Sequence, residues 1–152
     1  MTPVLLKDDE LEVARAEVEA VRDALDQGDY RDLLDDLLVV LARGDAIEGR
    51  QADELDRLLT LALQSGRVRA LYGPGGEQAA LRAFRKLPTG SELTRSTKAV
   101  NEALASLRER PLDRLTLTAV GPGAFTLAVS TDGPQLTVRL DRQGARVASV
   151  EA

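Results

Sequence analysis

Apolar residues recur at every third or fourth position through the first two thirds of the chain, and at every second position after Pro111. The first spacing is typical of amphipathic helices and the second of half-buried strands. The fold class predicted from this change of period is α+β. We expect about four to five helices, followed by a C-terminal four-stranded antiparallel β-meander that the last helix covers.

Helices are predicted where an apolar stripe ends at a glycine or a proline. The predicted ranges are 8–27, 29–43, 50–64, 77–87 and 90–109. Thr89 and Glu92 have the T-x-x-E spacing of a capping box, which predicts Thr89 as the N-cap of the last helix. The alternation of residues 67–72 predicts a short strand, and the glycines and proline of residues 73–76 predict a loop.

Four short strands separated by tight turns are predicted after Pro111. Their ranges are 115–120, 125–129, 136–140 and 145–150. Neighbouring strands joined by tight turns pair antiparallel. Leu115 and Leu117 alternate with Thr116 and Thr118, which predicts one apolar face under the helix and one polar face in water.

Charge divides the chain near residues 64–66. Residues 1–63 carry 17 acidic and 7 basic side chains, a net charge of −10, and residues 64–152 carry 8 acidic and 13 basic ones, a net charge of +5. A single domain of residues 1–152 is predicted, with an acidic helical part, 1–65, and a basic α+β part, 66–152. Three interpretations stay open: solvated charge without a partner, packing of the acidic helices against the basic segment, and binding of an external polyanion.

The composition removes much of the usual catalytic chemistry. The sequence contains no Cys and no His, which excludes disulfides, thiolate and imidazole metal ligands and Ser-His-Asp triads. Carboxylates, Arg, Lys, Tyr and Ser/Thr leave an enzyme open, but we expect none, and we assign no catalytic residue, no cofactor and no metal. No signal peptide or membrane span is recognisable, so a cytoplasmic location is expected, and the preference for Arg over Lys suggests a bacterial source.

Three D-x-x-D pairs have a spacing that suits Mg²⁺. They are Asp23/Asp26, Asp32/Asp35 and Asp53/Asp56. Carboxylates three residues apart lie on one face of a helix and are able to share a metal ion. Because the second and third pairs fall opposite the leucine faces of their helices, we expect solvated acidic faces there instead of a metal site.

The first predicted helix carries an apolar stripe that would also suit a second copy of the chain. The candidate self-association residues are Leu11, Val18, Val21 and Leu25. Together with Val4, three of them follow a spacing of seven residues, which is typical of a coiled-coil seam but too short to establish one. We expect either a homodimer through this stripe or its burial within the same chain.

The basic segment 67–98 is the candidate anion-binding site. Its residues are Arg67, Arg69, Gly75, Gly76, Arg82, Arg85, Lys86, Arg95 and Lys98. Glycines that precede a helix expose backbone N–H groups, which favour anions. The segment lacks the G-K-[ST] ending of a P-loop, so a plain turn is the simpler interpretation of the glycines.

The leading functional hypothesis is a non-enzymatic protein–protein interaction or adaptor protein that self-associates. Its ligand would be a protein partner or a second copy, and no membrane contact is expected. The alternative is a small-molecule or anion-binding domain with its site at 67–98. Nucleic-acid binding is a weaker alternative, because the net charge is −5 and only two Tyr and two Phe are available for stacking.

Overall fold

The computed structural model describes residues 2–152, and these residues form five helices followed by one four-stranded antiparallel sheet. The helices are α1 (Asp9–Asp23), α2 (Asp29–Arg43), α3 (Gly49–Gln64), α4 (Arg67–Lys86) and α5 (Pro88–Ala105). The strands are β1 (Leu112–Gly121), β2 (Ala124–Thr131), β3 (Gln135–Asp141) and β4 (Gly144–Glu151). The predicted α+β class is therefore confirmed.

The chain divides into two compact units, and α5 contains the boundary between them. We call Met1–Ser91 the helical unit and Glu92–Ala152 the β unit. No helix within residues 2–152 is long and apolar enough to cross a membrane. The prediction that residues 1–152 act as a single domain stays a prediction.

The core of the helical unit is made mostly of leucines from α1, α2 and α3. Its fully buried side chains include Val18, Leu34, Leu37, Leu41, Leu55 and Leu59. The chain before α1 joins this core through Val4, whose N–H and C=O each form a 2.7 Å hydrogen bond with Ile47. Val4 thus precedes the helix and does not extend its apolar stripe by a further heptad.

Helix α4 occupies residues that were predicted to be a strand and a loop; the predicted strand 67–72 is wrong, and the predicted loop 73–76 is reduced to a kink at Gly73. Residues 67–72 are helical, because Val68 points into a small cluster with Ala79 and Ala80 while Arg69 and Ala70 stay exposed. The helix is interrupted at Gly73, whose φ of 70° and ψ of −171° are not helical, and Pro74 follows directly. Glycine tolerates this positive φ and proline suits a new helical start, so α4 is two helical segments joined by a kink.

The start of α5 is held by a side chain from α3. Thr89 donates its N–H and its hydroxyl to Oδ2 of Asp56, at 3.0 and 2.6 Å. The predicted capping box is wrong, since the helix begins at Pro88 and Glu92 bonds Arg95 instead. The cap is therefore supplied by a residue 33 positions earlier.

The β unit contains a meander with strand order β1-β2-β3-β4. Phe125, Leu127 and Val129 of β2 pair with Leu140, Val138 and Leu136 of β3, so these side chains share one face. On that face Val129, Leu136 and Val138 form a buried cluster together with Val100 of α5 and with Leu107.

Candidate functional site

The residues of the predicted self-association stripe lie in or against the core of the helical unit. Val18 is fully buried, and Leu11, Val21 and Leu25 are partly buried against the same core. Helix α1 ends at Asp23, so Leu25 lies beyond it. These side chains contact helices of their own unit in the structure, and their contact with a second copy stays a prediction.

Basic residues of α4 pair with buried carboxylates of α1. Lys86 Nζ lies 2.7 Å from Oε2 of Glu10, and Arg82 Nε lies 4.0 Å from Oε1 of the same carboxylate. Arg67 Nε lies 3.1 Å from Oε2 of Glu17. Packing of the acidic part against the basic segment, one of the three interpretations of the charge pattern, thus occurs within the helical unit, and three candidate anion-binding residues already have carboxylate partners.

Glu17 is the centre of the contact between α1 and the first segment of α4. Its side chain is 4% exposed, and its Oε1 accepts a 2.7 Å hydrogen bond from the Tyr72 hydroxyl. Burial of the phenol, followed by its bond to Glu17, raises the pKa of Tyr72 to about 12. The two residues therefore join α1 to the first segment of α4.

Gly75 and Gly76 lie in α4, just after its kink, and line a groove of about 530 Å³ between α1 and α4. Val13 contributes to the apolar wall of the groove, and Asp9 and Glu12 contribute carboxylates. Carboxylates beside the groove repel a second anion. The groove beside the two glycines is therefore lined by carboxylates and by none of the predicted cations, and the part of the glycines in anion binding stays a prediction.

The other basic candidates lie in different surroundings. Arg69 and Arg85 are exposed, and neither forms an ion pair within residues 2–152. Arg95 and Lys98 belong to the β unit and pair with exposed glutamates of α5, at 2.9 and 4.0 Å. Only Arg69 and Arg85 of the predicted cations thus lack a carboxylate partner in this part of the chain.

The D-x-x-D pair of α3 is divided between surface and interior. Asp53 is exposed, as predicted, but Asp56 is only 7% exposed, so the prediction of a solvated position is wrong for Asp56. Its Oδ2 binds Thr89, and its buried Oδ1 has no hydrogen-bond partner. No group of three or more His, Cys, Asp or Glu within residues 2–152 is placed to hold a metal ion.

Exposed apolar side chains are concentrated on β1. Leu112, Leu115, Leu117 and Val120 are 57%, 62%, 60% and 48% exposed. Leu115 pairs with Val129 and Leu117 with Leu127, so both leucines lie on the same sheet face as the buried cluster. The apolar face is therefore buried around Val129, Leu136 and Val138 and open to water along β1.

The regular part of β1 is residues 114–119, which we call the β1 edge. Register shifts occur before Arg114 and after Ala119, but none occurs between them. On the polar face, Arg114 Nε donates a 3.1 Å hydrogen bond to the hydroxyl of Thr116. The β1 edge is thus an uninterrupted, extended stretch with leucines on one side and polar groups on the other.

Sequence reasoning assigned Leu115 and Leu117 to the apolar face but expected a helix to cover them. Alternation with threonine identifies the face correctly. It carries no information about how far a helical cover reaches across a sheet. The remaining signal was the position of β1 at the end of a meander, which makes it an edge strand.

Comparison of the chain with protein-family models, with curated protein sequences and with solved structures returned no significant match.

Proposed function

We propose that the protein is a non-enzymatic protein–protein interaction protein that self-associates, and that its contact surface is β1. The observation that carries the proposal is the exposure of Leu115 and Leu117, 62% and 60%, in the middle of a regular edge strand. Covering exposed leucines with another protein surface lowers the free energy of the system, and an edge strand offers backbone hydrogen bonds to the same partner. Surface of this kind is typical of interaction sites.

The environment of α1 favours β1 over the helical stripe as the contact surface. Val18 is fully buried by neighbouring helices, so a second copy would reach it only after the core had opened. Opening that core would expose several leucines at once, at a cost of about 1.5–3 kcal/mol each. Contact through β1 requires no such opening.

A small-molecule or anion-binding domain with its site at 67–98 is the second candidate. The exposed side chains of Arg69 and Arg85 support it, because neither has an ionic partner within residues 2–152. The carboxylate partners of Arg67, Arg82 and Lys86 oppose it, since an anion would have to displace them. Nucleic-acid binding meets the same obstacle, because it needs several free cations at once.

We also propose that α5 covers the inner part of the sheet. The burial of Val100 and Leu107 in one cluster with Val129, Leu136 and Val138 supports this cover. The cytoplasmic location and the bacterial source stay predictions.

The proposed function is tested by the solution mass of the whole chain over a concentration series of about 1 µM to 1 mM, a range that covers weak and moderate dimers. We expect the mass of the wild type to rise with concentration, at low and at high salt, because the contact is apolar. The variant with Leu115→Thr and Leu117→Thr should remain a monomer, since threonine keeps the β-propensity and removes the apolar contact.

A matched control replaces two exposed leucines of the helical unit, Leu61→Gln and Leu71→Gln, which are 53% and 56% exposed. The control should associate as the wild type does. A wild type that is monomeric throughout the series, or a threonine variant that associates as strongly as the wild type, would overturn the proposed function.

A further inference from the structure

Strand β1 offers a row of backbone groups without a strand beside it. It ends the sheet order and pairs only with β2 within residues 2–152. The outer N–H and C=O groups of such an edge form a template for another strand. After Arg114 the strand is also uncharged, because residues 115–121 contain no acidic or basic side chain.

The opposite edge of the sheet is obstructed. The pairing of β3 with β4 has a register shift between Thr137 and Val138, and Arg146 of β4 reaches Asp141 at 2.7 Å. Bulges and charged side chains are the usual features that keep an edge from pairing with another chain. Residues 115–119 of β1 have neither a register shift nor a charged side chain, so this stretch is more open to strand addition than β4.

We propose that the β1 edge pairs antiparallel with the β1 edge of a second copy of this chain, about a twofold axis at Thr116. This inference rests on the proposed function and specifies its partner and its geometry. The pairing joins the two four-stranded sheets into one continuous sheet. A twofold axis makes the contact self-complementary, so the two copies use the same surface.

The position of the axis follows from the alternation of side chains. Residues directly opposite each other in an antiparallel pair point to the same face, so the axis must pass through a residue to keep leucines with leucines. An axis at Thr116 places Leu115 opposite Leu117 of the second copy, and this pair occurs twice. An axis at Leu117 would place Leu115 opposite Ala119 and would bury less apolar surface.

Charge also favours this register. With the axis at Thr116, Arg114 lies opposite the uncharged Thr118 of the second copy, and Asp113 lies near Ala119. No like charges meet across the strand pair, whereas like charges placed directly opposite would destabilise it. A second copy is therefore a partner whose charges match this edge without rearrangement.

The size of the contact predicts its strength. The β1 edge, residues 114–119, extends about 20 Å, and with a sheet thickness of about 10 Å an edge-to-edge contact covers roughly 200 Å² per copy. A standard stable interface covers about 800 Å² per partner. We therefore expect a concentration-dependent dimer rather than a permanent one.

Disulfide trapping tests the geometry without background, because the chain contains no cysteine. Thr116→Cys places one thiol of each copy at the axis, where opposite Cα atoms are about 4.5–5.5 Å apart, within the range of a disulfide. The matched control is Ser149→Cys, an exposed residue of the β4 edge. Under oxidation at concentrations where the wild type associates, we expect Thr116→Cys to be trapped as a dimer about tenfold more than the control.

Amide hydrogen exchange of the wild type provides a second measurement that needs no substitution. The outer amides of β1 should exchange more slowly as the concentration rises, while those of β4 should not change. Equal trapping of the two cysteine variants, or unchanged β1 exchange in a protein that associates, would overturn the edge-to-edge pairing. Self-association through the leucine face of β1 would still stand, because the threonine variant tests it separately. A wild type that never associates would overturn both.

Discussion

Glu17 and Tyr72 are joined across α1 and α4 by a 2.7 Å hydrogen bond, in which the phenol donates to a carboxylate that is 4% exposed. Arg67 donates to the second oxygen of the same carboxylate, at 3.1 Å. A buried carboxylate is stable only while its hydrogen-bond donors are in place. The three side chains therefore connect the acidic first helix to the basic segment as one cooperative group.

Removal of Glu17 should destabilise the helical unit. In Glu17→Ala the partly buried Tyr72 hydroxyl and Arg67 guanidinium lose their acceptor, which we expect to cost about 2 kcal/mol. The measurement is the free energy of unfolding from denaturant titration. Glu19→Ala, an exposed glutamate of the same helix, is the control and should change it by less than about 0.5 kcal/mol. Similar losses for both variants would contradict the structural role of Glu17.

The raised pKa of Tyr72 predicts a loss of stability at alkaline pH. The phenol titrates near 10 in the unfolded chain and at about 12 in the folded one, so between these values the folded state holds more protons. The contribution of Tyr72 to the free energy of unfolding is therefore fully present below pH 10 and is lost as the pH rises from 10 to about 12. Unfolding titrations across this range should show a flatter decline for Tyr72→Phe than for the wild type.

Tyr30 is expected to make a second, separate contribution to this alkaline loss of stability. Its pKa is also raised, by burial first and then by its hydrogen bond to Glu54. Tyr30→Phe should therefore remove a separate part of the alkaline decline, and the double variant should remove both. A decline of equal slope in the wild type and in both single variants would mean that neither phenol is responsible.

The two glycines after the kink of α4 should respond differently to a methyl group. A Cβ added at Gly76 would overlap Cβ of Tyr72, whereas one added at Gly75 meets nothing within 4 Å. Gly76→Ala should lower the free energy of unfolding by about 1–3 kcal/mol, because the overlap has to be relieved by backbone movement. Gly75→Ala should leave it unchanged or raise it slightly. The measurement is the free energy of unfolding of the two variants, from thermal or denaturant titration. Equal changes in both variants would contradict the close approach of Gly76 to Tyr72.

The two carboxylates of the α3 D-x-x-D pair should also differ. Asp56→Ala removes the acceptor of the Thr89 N–H and hydroxyl at the start of α5, and we expect a loss of about 1–2 kcal/mol. Asp53→Ala removes an exposed carboxylate and should change stability by less than about 0.5 kcal/mol. Amide exchange at the first turn of α5 should increase for Asp56→Ala alone. Unchanged exchange in Asp56→Ala would show that the cap does not depend on this side chain.

The elements that the sequence predicted well are those whose pattern is local. The period-two alternation and the turn sequences place all four strands, and the antiparallel pairing of neighbours follows from the short turns. Gly44 ends α2 in a left-handed conformation, as its position after the apolar stripe predicted.

The segment 67–72 shows where local alternation misleads. Six residues with alternating polarity suit a strand, but they also suit the first turns of a helix with Val68 inward. A distant residue favours the helix over the strand, because Arg67 and Tyr72 both form hydrogen bonds to Glu17, 50 and 55 positions earlier in the chain. No window of neighbouring residues contains that information.

The buried carboxylates were missed for a related reason. Glu10, Glu17 and Asp56 look like surface residues in a sequence, since acidic side chains are rarely buried without a partner. A signal did exist, because Glu10 and Glu17 are spaced at seven residues beside the apolar stripe of α1. On α4, Arg82 and Lys86 are the cations that pair with Glu10, and Arg67 is the one that pairs with Glu17. A comparison of the acidic face of α1 with the basic face of α4 would have predicted this contact.

The ion pairs between α1 and α4 also have a consequence for synthesis of the chain. Lys86 is 76 residues later than Glu10, so α1 leaves the ribosome well before the cation that neutralises its carboxylate. At about 5–20 residues per second the delay amounts to several seconds. During that time the first three helices hold a surplus of negative charge that repels their own packing. The ion pairs of α1 with α4 are therefore complete only after Lys86 has been synthesised. Nascent chains that stop before residue 86 should remain loosely packed.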